Sequence, residues 1–363
     1  MGNEHLSKAK NLKNDEFYTQ YDDIQNEVNY YYEYDPNVFR DKVIFLPCDD
    51  PEWSNFTKFF AINFEKFGIK KLISTSYAHS SKKVNFSYQQ TLFEEESPQF
   101  DYDKSQTRGK IFTLTREKNN KKIDYNDLKW KYLEGDGDFR SKECVELIKK
   151  SDIVITNPPF SLFREFISHI FRHNKKFLII GSKLAAKNKD MFPLIKEDKV
   201  WLGRTSAKKF YIFIENEKHY TSKINGLTRW FTNLEHGLRH EKLKLLTMQE
   251  NLIYDKRLIK AIREAGQRSR AEKQQLQYLK YDNYNDVIDV PVVSAIPSDY
   301  DGVMGVPITF LDKYNPEQFE LLGIMNTGEK NVGYRKPDSP HGRAVINGVE
   351  QYLRVLIRKK PEN

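Results

Sequence analysis

Through the first 235 residues, short apolar runs rich in β-branched side chains recur, each followed by a turn and then by a stretch whose apolar positions repeat at helical spacing. Strands are expected at 42–46, 71–76, 152–156, 176–181 and 199–202, alternating with helices such as 20–34, 54–67, 142–150 and 162–171. A run such as Ile153-Val154-Ile155 has no polar face, which suits a strand covered on both sides. Strand and helix in alternation predict an α/β fold: a Rossmann-like, doubly wound and mainly parallel sheet. Tyr30, Tyr31, Tyr32 and Tyr34 in the first helix read as packing residues.

Two segments interrupt that rhythm. Aromatic-rich runs at 84–93 and 110–116 bracket an acidic, polar connection and predict a β-hairpin insertion over about 84–125. A second hairpin, 209–215 with 218–224, precedes a last core strand at 228–233. Beyond about Glu235 the alternation fades into longer polar connections, so a first domain is drawn at 1–235 and a second at 236–363. The second includes 290–296, 308–311, 319–325 and a basic strand pair ending at Arg358-Lys359-Lys360. No internal repeat or low-complexity linker interrupts it.

Composition narrows the function classes. A chain of 363 residues with 39% hydrophobic residues can bury a core in one large domain and a smaller one. No apolar run approaches roughly 18 residues and Met1 begins no charged-then-apolar leader, so no membrane span or export is expected and the expected location is the cytoplasm. Cys48 and Cys144 lie far apart without spaced ligands, and His169 and His173 flank Arg172 at a helix end, so neither a disulfide framework nor a metal is expected. The net charge of +8 points to an anionic partner if it is locally concentrated. One stretch concentrates it: Lys256, Arg257, Lys260, Arg263, Arg268, Arg270 and Lys273, with Gln267, Gln274 and Gln275 among them. Arg and Gln can read base edges in a major groove while Lys neutralises phosphate. The same residues would also make an ordinary solvated helix face.

The chemistry is most legible at Asn157-Pro158-Pro159-Phe160, directly after the apolar run at 153–155. An exocyclic base amine is a poor nucleophile because its lone pair is delocalised into the ring. The Asn157 side-chain oxygen and the Pro158 carbonyl can accept both amine protons and favour the more pyramidal nitrogen of the transition state. Consecutive prolines stiffen the turn and carry no N–H, and Phe160 offers a flat face for a base extruded from a duplex. A plain turn after a strand explains the same tetrapeptide less fully, because a strand ending in a loop that opens a helix places it at the carboxyl edge of a parallel sheet.

With these residues in hand, the chain resembles the EcoRI-type family of N6-adenine DNA methyltransferases along nearly its whole length. Asp15-Glu16-Phe17-Tyr18-Thr19 resembles the family's N-terminal motif, and the strand from Val43 with Pro47-Cys48-Asp49-Asp50-Pro51-Glu52-Trp53-Ser54-Asn55-Phe56 resembles its first cofactor strand and loop. Gly135-Asp136-Gly137-Asp138-Phe139 resembles the segment that holds the cofactor adenine, although an ordinary turn fits it as well. Gly305-Val306-Pro307-Ile308-Thr309-Phe310-Leu311 and Asn315-Pro316-Glu317-Gln318-Phe319 extend the likeness. The motif order implies the γ arrangement. Two departures stand out. The first cofactor loop has no Gly-x-Gly, so Pro47 and Cys48 must shape it, and no acid follows the strand at 71–76 to grip ribose hydroxyls, which leaves Asp49 or Asp50 as substitutes.

The resemblance implies a site-specific DNA adenine N6-methyltransferase with a methyltransferase-type Rossmann-like sheet and a C-terminal target-recognition region. The cofactor implied is S-adenosylmethionine, held by Phe17, Tyr18, Thr19, Pro47, Cys48, Asp49, Asp138 and Phe139. Catalysis falls to Asn157, Pro158, Pro159 and Phe160, with Arg263, Arg268, Arg270 and Lys273 expected at DNA and no metal required. Double-stranded DNA is the expected partner of a monomeric enzyme, with a companion restriction endonuclease acting on the same site if the enzyme serves restriction-modification. Three rivals stay open at this level. An RNA or glutamine-amide methyltransferase can use the same tetrapeptide, a non-catalytic DNA-binding module would leave the cofactor motifs idle, and magnesium ligation by Asp49, Asp50, Asp136 and Asp138 in a nuclease would leave Asn157 to Phe160 unexplained.

Overall fold

The computed structural model describes residues 18–52, 54–78, 100–116, 130–208, 210–214, 217–221, 228–268, 276–282, 284–325 and 344–361. The chain divides into two compact units, one formed by Met1–Ala185 with Leu202–His236 and the other by Ala186–Trp201 with Gly237–Asn363.

The strands of the first unit are β1 (Tyr18–Thr19), β2 (Val43–Leu46), β3 (Lys71–Thr75), β4 (Lys110–Thr115), β5 (Trp130–Tyr132), β6 (Ile153–Thr156), β7 (Lys176–Ser182), β8 (Trp201–Leu202), β9 (Phe210–Ile214), β10 (Glu217–Thr221) and β11 (Thr228–Thr232), with Trp201 of β8 falling in the second unit. Its helices are α1 (Tyr21–Tyr34), α2 (Asn55–Ile62), α3 (Phe64–Phe67), α4 (Tyr102–Thr107), α5 (Lys142–Lys150) and α6 (Phe163–Arg172). The main sheet has eight strands in the order β5-β4-β3-β2-β6-β7-β11-β8. β3, β2, β6 and β7 are mutually parallel, as the buried apolar runs predict.

The sheet as a whole is mixed, which corrects the mainly parallel expectation. β4 runs antiparallel to β3, β5 antiparallel to β4, and β11 antiparallel to β7. The run at 110–116, expected as one arm of an inserted hairpin, is β4 of this main sheet, while its expected partner at 84–93 lies outside the described residues. The hairpin expected near 209–224 forms as β9 and β10, with Tyr211 opposite Tyr220, and β1 adds to it with Tyr18 opposite Tyr211.

Aromatic side chains fill one side of the parallel core. Phe56, Phe59 and Phe60 of α2 and Phe64 and Phe67 of α3 pack with Phe39, Ile44, Leu46, Leu72, Ile153, Ile155, Leu178 and Ile180. The single helix expected at 54–67 is broken at Asn63, and Gly68 ends α3 at φ 65. Ser54 caps α2 by accepting from the Phe56 N–H at 3.0 Å, which fixes where the loop after β2 stops. Glu27 on α1 is fully buried yet saturated. It accepts from Tyr31 Oη at 2.9 Å, from the Arg204 N–H at 2.9 Å, and from the Thr205 N–H and hydroxyl at 2.7 Å each. A Cβ on Gly203 would lie 2.1 Å from Glu27 Oε1, so glycine there permits the approach.

The second unit holds helices α7 (Phe192–Lys196), α8 (Met248–Tyr254) and α9 (Lys256–Arg268) and strands β12 (Lys280–Tyr281), β13 (Tyr284–Asp289), β14 (Val303–Pro307), β15 (Phe319–Met325), β16 (Val345–Ile346), β17 (Val349–Glu350) and β18 (Arg354–Lys359). Five strands form a sheet in the order β12-β13-β14-β18-β15. Within it Arg354 Nε donates to Asp289 Oδ1 at 2.7 Å and Tyr281 Oη donates to the same oxygen at 2.5 Å, so a buried charge pair is also hydrogen-bonded. The segment 186–201 belongs to this unit. Lys196 Nζ donates to the Leu322 carbonyl at 3.2 Å, and Asp198 pairs with Arg239.

Candidate active site

β2 and β6 are parallel neighbours at the centre of the main sheet, with Ile44 opposite Ile153. The chain leaves β2 for β3 on one side and β6 for β7 on the other. The loops that follow β2 and β6 therefore diverge and leave a crevice at their carboxyl ends, the position where open α/β sheets bind ligands. The Thr156 hydroxyl donates to the Pro47 carbonyl and ties the two loops together.

The β2 loop is shaped without glycine. Cys48 sits at φ 63, in the left-handed region, at a backbone cost of about 1–2 kcal/mol for a side-chain-bearing residue. The Asp49 N–H then donates to the Thr75 carbonyl at 2.8 Å and the Ser74 hydroxyl donates to the Asp49 carbonyl, anchoring the loop to the end of β3. The Asp49 carboxylate is buried, and its Oδ1 accepts from Ser54 Oγ at 2.6 Å. Burial outweighs the Ser54 and Thr156 hydroxyls and raises its pKa to about 7. Its Oδ2 is buried without a hydrogen bond.

The tetrapeptide leaves β6 beside this loop. Asn157 Nδ2 donates to Thr19 Oγ1 at 3.3 Å, and Asn55 Nδ2 donates to the Thr19 carbonyl at 2.7 Å. Thr19 thus joins β1, the start of α2 and the tetrapeptide at one point. It lies against the Nδ2 end of the Asn157 amide, and Oδ1 is buried. Pro158 is buried, while Asn157, Pro159 and Phe160 are half-buried. The Pro159 carbonyl accepts from the Leu162 N–H at 2.9 Å, starting a 3₁₀ turn at Phe160–Leu162 that runs into α6. Phe160 rests against the edge of the aromatic core. The backbone of Tyr18 is placed in β1, and Phe17 lies outside the described residues.

The segment at 135–139 crosses the end of β3 and the start of β4. The Ala78 N–H donates to the Asp136 carbonyl at 2.7 Å and the Gly109 N–H to the Gly135 carbonyl at 3.0 Å. Gly137 is at φ 81, and a Cβ there would meet the Ser76 carbonyl oxygen at 2.0 Å, so this crossing requires glycine twice over. Asp138 is held by its own neighbour. Arg140 donates to it through Nε at 2.9 Å and Nη2 at 2.5 Å, and also pairs with Glu165 at 3.3 Å. The Asp138 pKa is lowered, burial acting against the hydrogen bonds and charge of Arg140, which prevail. Phe139 is fully buried against Phe166, ring centroids 5.0 Å apart, which anchors the segment to α6 from within the core.

Four side chains given no role by sequence complete this edge. Glu52 pairs with buried Lys110, accepts from Trp130 Nε1 at 3.0 Å, and has Lys110 Nζ over the Trp130 ring at 4.6 Å from its centroid. Tyr77 lies near Cys48 and Asp138, its pKa raised by burial. Only Glu52 left a trace in the sequence, as an acid following the β2 loop. Lys110 and Trp130 come together through the pairing of β4 and β5, which no local pattern announces.

In the second unit, α9 buries Leu258 and Ile262 and exposes Lys256, Arg257, Lys260 and Arg263. Arg257 Nη2 donates to Ser294 Oγ at 2.7 Å. Arg268 is helical in its backbone, and Arg270 and Lys273 lie outside the described residues. Among the described residues there is no cluster of His, Cys, Asp and Glu able to hold a metal, and no helix is long and apolar enough to cross a membrane.

Comparison with known proteins places this geometry in context. The family described as "Adenine-specific methyltransferase EcoRI" matches residues 5–360. The Type II methyltransferase M.EcoRI of Escherichia coli is 40% identical over 99% of this chain and 97% of its own length. M.MgeORF184P of Mycoplasma genitalium is 34% identical over 98% of this chain and 99% of its own, and M.MpnI of Mycoplasma pneumoniae is 31% identical over 98% of each. No solved structure matches the chain significantly.

Proposed function

We propose, since this chain belongs to the adenine-specific methyltransferase EcoRI family, that it methylates N6 of an adenine swung out of a specific duplex DNA sequence, with S-adenosylmethionine as methyl donor. The observation that carries this is the placement of Asn157 where the paths from β2 and β6 diverge: Thr156, next to it in sequence, donates to the Pro47 carbonyl of the β2 loop, and Asn157 itself donates to Thr19. The parallel core is the ligand-binding half of a Rossmann-like, doubly wound methyltransferase sheet.

The residues fit that donor. A buried carboxylate whose Oδ2 makes no hydrogen bond, at Asp49, suits a cationic ligand. The left-handed turn at Cys48 does the work of the absent glycines. Tyr18, Pro47 and the Asp138 segment border the same edge, Phe139 supports that segment from below, and Phe17 precedes β1. When bound, the donor supplies an electrophilic methyl carbon on a sulfonium.

Asn157 Oδ1 and the Pro158 carbonyl accept the two amine protons and localise the lone pair on nitrogen. Thr19 holds the Asn157 amide in the orientation this needs. Phe160 stacks against the extruded base, offsetting part of the few kcal/mol lost on unstacking. The freed lone pair would take the methyl group that such a donor supplies, and the nitrogen would release its surplus proton to solvent. No side chain becomes covalently attached and no metal takes part.

The unit formed by 186–201 and 237–363 recognises the target, Arg263, Arg268, Arg270 and Lys273 contributing phosphate or base contacts. The enzyme acts as a monomer in the cytoplasm, alone or beside a restriction endonuclease of the same specificity. Incubation with methyl-labelled donor and duplex DNA, RNA or a protein extract in parallel tests this. Label is expected in duplex DNA as N6-methyladenine, and label only in RNA or protein would overturn it.

A further inference from the structure

The strand that ordinarily ends in a ribose-binding acid does not do so here. β3 runs into Ser76 and Tyr77, neither of them an acid. Asp49 is buried with Ser54 Oγ donating to its Oδ1, and Asp50 Oδ1 accepts from the Glu52 N–H at 2.9 Å. That last bond aims the next acid. Glu52 starts from the loop after β2, yet its partners are Lys110 at the start of β4 and Trp130 at the start of β5. In the sheet order β5-β4-β3-β2, reaching them carries the Glu52 carboxylate past the carboxyl end of β3. The Lys110 carbonyl accepts from the Ser76 N–H at 3.0 Å, so this is the end of β3 itself.

We propose that Glu52 is the ribose-binding acid of this enzyme, delivered from the first cofactor loop to the place where the end of β3 lacks one. The inference rests on the methyltransferase function proposed above. The surroundings of Glu52 suit the task. Lys110, only 4% exposed in its side chain, supplies the countercharge, and the Trp130 N–H fixes the rotamer. A carboxylate, with two oxygens that only accept, is the kind of group that a pair of adjacent hydroxyls requires. At 16% exposure the Glu52 side chain still has a face open to a ligand, unlike the Lys110 beneath it. Asp50, Lys110 and Trp130 are positioning residues, and Glu52 is the one that touches the ligand.

Calorimetry with S-adenosylhomocysteine and its 2′-deoxy and 3′-deoxy analogues separates the outcomes. The unaltered protein should bind the parent compound about ten- to a hundredfold more tightly than at least one deoxy analogue, the range for a hydrogen bond to a charged group. Glu52→Gln should weaken the parent by a similar factor and reduce the discrimination to less than about twofold. Glu52→Asp retains the charge beside Lys110 while withdrawing the carboxylate by one methylene, so it should fold if Glu52→Gln does not, and it should lose discrimination in the same way. Equal affinity of the unaltered protein for parent and deoxy compounds, or full discrimination kept by either variant, would overturn the assignment. Failure of the unaltered protein to bind S-adenosylhomocysteine at all would instead overturn the function on which it rests.

Discussion

Asp49 is the residue at which stability and ligand binding pull in opposite directions. Its folded pKa of about 7 stands above its ordinary value of 3.8. The unliganded folded protein therefore keeps a proton that the unfolded chain gives up, and this group's contribution to stability is full below about pH 4 and lost as pH rises through about 7. A cationic donor needs the ionised form, so cofactor affinity should rise across the same interval. Thermal melts between about pH 5 and 8 should show Asp49→Asn flattening the fall in stability of the unliganded protein while weakening cofactor binding. A pH-independent affinity in the unaltered protein would count against a cofactor role for Asp49. Thr19 calls for a different readout, because its hydroxyl orients Asn157. Thr19→Val keeps the backbone carbonyl used by Asn55 and removes the hydroxyl, so turnover should drop by roughly fivefold, about 1 kcal/mol, with little change in cofactor affinity. Unchanged turnover would contradict that role. The tetrapeptide is legible in sequence because four adjacent residues carry its chemistry. The Thr19 contact is not, because its partners lie 138 residues apart.

At the scale of elements, what could be read was what buries both faces. β2, β3, β6 and β7 are contiguous apolar runs, and they form the parallel core. Alternating strands were less legible, because a period of two says that a strand pairs but not with what. β4 is the clearest case, since its alternation fits a separate hairpin as well as the sheet it joins. Missing glycines in the β2 loop are likewise explained only by coordinates, Cys48 adopting the left-handed turn itself. Gly137 has no such latitude. A Gly137→Ala change combines an unfavourable φ with a contact of 2.0 Å to the Ser76 carbonyl, and it should destabilise the protein by at least about 2 kcal/mol, lowering the melting temperature by several degrees. A melting temperature unchanged within a degree would contradict this packing.

For the molecule as a whole, charge and connectivity matter more than any one contact. The net +8 is small against 59 basic and 51 acidic residues, so anion binding depends on where the excess is displayed. The exposed face of α9 is such a display, and Arg263→Glu should weaken duplex binding by about tenfold while leaving cofactor affinity intact, with a shallower salt dependence. Loss of cofactor binding in that variant would show that α9 serves the fold instead. Sequence gave no sign that 186–201 belongs with the unit that holds 237–363. That segment follows β7 directly in sequence, and its bonds to Leu322 and Arg239 span far more chain than a local pattern can register.

The most direct test of the account is the single-turnover rate of N6-methyladenine formation by Asn157→Ala, measured on duplex DNA at saturating S-adenosylmethionine beside the cofactor affinity of the same variant. Loss of the acceptor should slow methyl transfer by at least about a hundredfold while cofactor affinity stays within about twofold. A near-normal rate would contradict the claim that Asn157 makes the amine nucleophilic.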